Sequence, residues 1–135
     1  MKNTLNIPQT ASVQMERMYC KQINFTRTDK DFDCTQLEVH FGKSHRFNSD
    51  FTAATVGLSC EIHDEGNSLL NLKVEFVGEF TCTDASVEDR QVLLTKNTLA
   101  ILFPYLRSQI SLATTQPDMA PITLPPMNIE SLFSE

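Results

Sequence analysis

Few residues in this chain have side chains able to do chemistry: three histidines, His40, His45 and His63, and four cysteines, Cys20, Cys34, Cys60 and Cys82. A redox pair or a zinc site shows itself as cysteines and histidines at short, fixed spacing. No C-x-x-C, H-E-x-x-H, nucleophile elbow or glycine-rich phosphate loop occurs. The histidines are isolated from one another along the chain, and the four glycines are too few and too dispersed for a nucleotide cradle. His63, Asp64 and Glu65 could be drawn as an acid/base or metal cluster. They fall at an expected hairpin turn, where polar side chains gather because the backbone is exposed. Each cysteine lies in or beside an expected strand, where a reduced thiol packs as a small hydrophobe. The expectation is therefore no catalytic residue, no metal ligand, no cofactor and no enzyme.

With 135 residues, 41% of them apolar, the chain is long enough to bury one core. Seventeen acidic against eleven basic residues leave a net charge of -6, with Lys and Arg scattered. Counterion release from a phosphate backbone needs clustered cations, so nucleic acid is not expected as a partner. The first eight residues, Met1 to Pro8, lack the apolar stretch of a signal peptide, and no run approaches membrane-spanning length. A cytoplasmic protein with no membrane insertion is expected, as a flexible segment 1–11 followed by a single domain 12–135.

The elements can be read from periodicity. Ala54, Val56, Leu58, Cys60 and Ile62 alternate with mostly polar residues, and after a turn holding Gly66 and Asn67 alternation resumes at Leu70, Leu72, Val74, Phe76, Gly78, Phe80 and Cys82. The two runs make an antiparallel hairpin. Less clean strands are expected over 12–26, with Met15, Tyr19, Ile23 and Phe25 on one face beside Arg17 and Lys21, and over 36–42, where Leu37, Val39 and Phe41 alternate. Ser86, with carboxylates at Glu88 and Asp89, resembles a capping box opening a short helix through about Lys96. Leu99, Leu102, Phe103, Leu106, Ile110 and Ala113 then recur at helical spacing. Pro104 implies that this helix starts near Phe103 or kinks there. Four prolines between residues 116 and 127 impose extended backbone. Ile122 and Leu124 make that stretch too apolar for a solvated linker, and Asn128 can cap a last helical turn with Ile129, Leu132 and Phe133.

Three segments carry a family resemblance. Residues 101–107 read I-L-F-P-Y-L-R, residues 122–133 read I-T-L-P-P-M-N-I-E-S-L-F, and residues 14–25 read Q-M-E-R-M-Y-C-K-Q-I-N-F. They resemble, in order and spacing, the helix opening, the crossover with its terminal L-F, and the first strand of the SecB protein-export chaperones. The resemblance implies an α+β fold, a SecB-like four-stranded antiparallel sheet with helices packed on one face, assembled as a homotetramer, a dimer of dimers. It also implies an ATP-independent holdase that binds unfolded or precursor polypeptides in apolar grooves, for protein export or a similar task. Matching positions for the groove are Leu37, Val39, Phe41, Ile122, Leu124, Ile129, Leu132 and Phe133. In the family, acidic residues on the first and last strands face the SecA motor. The matching positions here are Gln22, Thr26 and Lys73, a departure that counts against SecA docking through that face. The chain also stops soon after the terminal L-F, which implies a shorter groove wall. Two alternatives stay open: a dedicated chaperone of an antitoxin in a toxin-antitoxin system, and a non-chaperone oligomeric adaptor.

Overall fold

The computed structural model describes residues 13–31, 36–83 and 86–133; Cys34 and the flexible segment expected over 1–11 lie outside them. Four strands, β1 (Val13–Arg27), β2 (Leu37–Phe47), β3 (Ala53–Asp64) and β4 (Leu70–Cys82), form one antiparallel sheet in the order β1-β4-β3-β2. Then follow α1 (Val87–Val92), a wide π turn over Leu93–Asn97, α2 (Thr98–Ala113) and α3 (Ile129–Leu132).

The central hairpin forms as its alternation dictates. Val56, Leu58 and Cys60 on β3 and Val74 on β4 are fully buried, in one row with Ile62, Leu70, Leu72 and Phe80. Against this row lie Leu99, Leu102, Phe103, Leu106 and Ile110 of α2. Each fully buried aliphatic or aromatic side chain contributes about 1.5–3 kcal/mol, so this layer supplies most of the driving force for folding. Gly78 sets how closely the layers approach: a Cβ there would come within 2.5 Å of the Phe80 ring and 3.1 Å of a Leu102 methyl. The turn between β3 and β4 is organised by Asp64, whose carboxylate accepts from the amides of Leu69 (3.0 Å) and Leu70 (3.1 Å). Asn67 takes the positive φ of 56°.

Three expectations need correction. The register of β1 against β4 slips between Met15 and Arg17 and again between Cys20 and Gln22, leaving an extra residue at each place. Each slip exchanges the two faces, so Met15, Met18, Cys20, Ile23 and Phe25 share the helix side. Tyr19 turns to the outer face opposite Val77, where the Arg17 guanidinium lies 4.9 Å from its ring centroid. β2 extends beyond residue 42 to Phe47, because its pairing with β3 continues to Phe47 opposite Ala54. The helix does not start at Phe103: α1, the π turn and α2 follow without interruption, and α2 runs through the proline. Pro104 and Ala100, whose carbonyl it leaves unserved, both lie on the exposed side. Water can satisfy that carbonyl, and the buried residues on either side outweigh a cost of about 3 kcal/mol. The helix start agrees with expectation, the Ser86 hydroxyl accepting from the Asp89 amide at 3.2 Å.

Candidate functional site

The helix-side row of β2 is Leu37, Val39, Phe41, Lys43, His45 and Phe47, opposite buried or part-buried β3 residues in register. Because β2 is a sheet edge, this row is only half covered. Phe41 meets Phe103 of α2 edge-on, ring centroids 6.2 Å apart. Lys43 places its ammonium 5.0 Å from the Phe133 ring centroid, joining β2 to the end of α3. His45 Nε2 lies 2.9 Å from the Thr95 carbonyl in the π turn. Burial lowers the His45 pKa, the Thr95 carbonyl opposes that shift and Lys43 adds to it. Beside this contact region Val39 and Leu132 stay open to solvent, 39% and 48% exposed.

Residues 115–128 form a strap that returns antiparallel along α2, pinned by polar side chains of the helix. Thr114 Oγ1 accepts from the Ile122 amide at 2.8 Å, the Ser111 hydroxyl donates to the Ile122 carbonyl at 3.2 Å, and Arg107 donates to the Leu124 carbonyl at 2.7 Å. On the β1 side, Arg27 donates to the Asp118 carbonyl at 2.9 Å. The strap delivers Met127 and Ile129 to Ala100 and Phe103, where they line a cleft of about 270 Å³.

The proposed groove positions therefore divide. Leu37, Val39, Phe41, Leu132 and Phe133 remain partly or largely accessible, with Phe41 against Phe103 and Phe133 beside Lys43. Leu124 and Ile129, 4% and 2% exposed, belong to the core, where the strap and the start of α3 dock; Ile122 is half-buried against it. A second apolar depression, of about 580 Å³, opens on the other side of the molecule. It is lined by Ile23, Phe25, Arg27, Gln109, Ala113, Gln116 and Pro117. Sequence reasoning assigned it no role, since only the fold brings Ile23 and Phe25 of β1 beside Gln109, Ala113 and Pro117. The signal was present in Ile23 and Phe25, apolar residues on a strand of mixed polarity.

Gln22, Thr26 and Lys73 all lie on the outer face, opposite Glu75, Asn71 and Asn24. Lys73 is held 3.4 Å from Glu61. On the same face two histidines that are isolated along the chain meet. β2 and β3 pair Glu38 with His63 and His40 with Glu61, and the rings of His40 and His63 stack at 5.2 Å. Cys60 and Cys82 are buried, as the apolar reading expects, and burial, with Glu61 beside it, pushes the Cys60 thiol up to about 12; Cys20 departs from that reading and is exposed.

Comparison with known proteins agrees with this architecture. Residues 6–135 match the family described as preprotein translocase subunit SecB. An uncharacterized protein of Methanocaldococcus jannaschii is 26% identical over 96% of this chain and 88% of its own length. The protein-export protein SecB of Orientia tsutsugamushi is 24% identical over 82% of this chain and 68% of its own. Among solved structures, the SecB-like chaperone of Mycobacterium tuberculosis, in complex with a peptide from the HigA1 antitoxin, superposes with a TM-score of 0.63 at 17% identity, covering 86% of this chain and 91% of that one. With a four-stranded antiparallel sheet carrying its helices on one face, and with the family match running over nearly its whole length, this chain belongs to the SecB family.

Proposed function

We propose that this protein is an ATP-independent holdase that captures extended, unfolded segments of other polypeptides in the cytoplasm, working as a homotetramer built as a dimer of dimers. The observation that carries the reading is the half-covered apolar row on β2, with Val39 and Leu132 open to solvent beside Phe41 and Phe133. Exposed apolar surface on a sheet edge offers clients two things independent of their sequence: burial of apolar side chains, and unpaired backbone groups for strand addition. Neither needs a nucleotide or a catalytic group. Among the described residues no helix is long and apolar enough to cross a membrane.

The test is suppression of aggregation of an unfolded protein at stoichiometric amounts without nucleotide, with the mass in solution recorded alongside. Suppression by a species of four chains supports the proposal; a folded tetramer that fails to suppress rules out a general holdase and favours an oligomeric adaptor. A second reading is a dedicated antitoxin chaperone. It is favoured by the likeness to the M. tuberculosis chaperone with its antitoxin peptide, and by Gln22, Thr26 and Lys73 standing where SecA-facing carboxylates are expected. A toxin-antitoxin pair beside the gene, and one antitoxin co-purifying with the protein, would select it over export.

A further inference from the structure

The outer face of the β2–β3 pair carries a constellation that client binding does not use. Glu38, His40 and His63 present one ligand atom each, all within 4.8 Å of one another; among the described residues they are the one such group. Glu38 Oε2 lies 3.5 Å from His40 Nε2 and 3.7 Å from His63 Nε2. The tautomer of His63 follows from its other nitrogen, since Nδ1 lies 2.9 Å from the Asp64 carbonyl, which can only accept, and so Nδ1 carries the hydrogen. In a neutral ring Nε2 then has a lone pair, and that lone pair faces a carboxylate oxygen. Two acceptors stay together when a cation lies between them. The Lys73 ammonium, on the same face, is held by Glu61.

We propose that Glu38, His40 and His63 form a site for one divalent ion of the zinc class. Two imidazole nitrogens and one carboxylate are the donor set such ions take, with the remaining position left to water. Anchoring a ligating histidine through Nδ1–H to a backbone carbonyl is the usual support of such a site. The anchor here is firm, because Asp64 is fixed by the Leu69 and Leu70 amides and the His63 side chain is only 16% exposed. Neighbouring ligand atoms around tetrahedral zinc, with bonds of about 2.0–2.1 Å, lie roughly 3.3 Å apart. Glu38 and His40 are 51% and 60% exposed and have room to close the difference. The ion would clamp β2 to β3 directly behind Val39, which projects from the opposite face between Glu38 and His40. It would thereby stiffen the edge strand that carries the groove, without chemistry of its own.

The experiment is a zinc titration of the folded full-length protein by calorimetry, with chelator-stripped wild type compared with His40→Ala, His63→Ala, Glu38→Gln and the double histidine variant. Binding of one ion per chain, weakened at least about tenfold by each single substitution and abolished in the double variant, is expected. Zinc should also raise the unfolding midpoint of the wild type and leave that of the double variant unmoved. Each side chain lies on the outer face of the sheet, away from the helix-side core, so circular dichroism should report all variants folded. No zinc binding by the wild type, which leaves a proton as the bridging cation, overturns the proposal. So does zinc bound equally well by the double variant, with cobalt showing a thiolate charge-transfer band that places the ion on cysteine.

Discussion

The central hairpin and the two edge strands use similar residues to opposite ends. On β3 and β4, Val56, Leu58, Cys60 and Val74 have no exposure, whereas Ile23 on β1 is 49% and Val39 on β2 is 39% exposed. A fully buried aliphatic side chain contributes about 1.5–3 kcal/mol, so the edges forgo stability that the centre collects. The difference lies in position rather than residue type: a central strand has neighbours on both sides and a helix above, while an edge strand has one neighbour and the margin of the helix layer. Apolar residues at that margin are the ones left open to solvent.

The comparison breaks most visibly through its extremes. Phe80→Ala should cost about 3–5 kcal/mol in urea unfolding, because the ring fills the space between β4 and Leu102. Ile23→Ala, at the margin, should cost less than about 1 kcal/mol. Equal costs would mean that the edges are core after all. Next in size is the proposed groove: Val39→Asp and Phe133→Asp should each weaken binding of an unfolded client at least about tenfold, or 1.4 kcal/mol, with the fold intact. Loss of the fold would return those residues to the core.

A smaller effect should come from His45, which ties the β2 edge to the π turn. Its folded pKa lies below the ordinary value of 6.5, chiefly through burial, so the unfolded state binds the proton more readily. The stability it contributes is present above pH 6.5 and is lost as pH falls through the folded pKa. Thermal unfolding between pH 7.5 and 5 should show a decline that His45→Gln reduces; an unchanged decline would assign it to other groups. Smallest is Lys43→Ala, which removes the ammonium from the Phe133 ring at a cost of about 0.5–1 kcal/mol, readable as weaker protection of α3 in hydrogen exchange.

The legible parts of the fold share a trait: their pattern repeats within a few residues. The β3–β4 hairpin, the Ser86 cap and the buried stripe of α2 were readable because alternation, capping and three-to-four spacing are local, and the match in residues 101–107 and 122–133 pointed to the family on top of them. The β1 face was readable only in part: Met15, Ile23 and Phe25 share a face as expected, but two single-residue slips turn Tyr19 to the other one, and only pairing with β4 shows where they occur. Leu124 and Ile129 looked like groove residues by position, yet the bonds from Arg107, Ser111 and Thr114 press the strap down and bury them.

What the sequence determined by itself was an α+β chain with a sealed central hairpin, an amphipathic helix, no catalytic motif and a family likeness. What the tertiary structure decided was which apolar residues remain outside, and that Glu38, His40 and His63 meet. Burial and convergence depend on contacts between elements distant in the chain, whose register and docking no short window of residues contains.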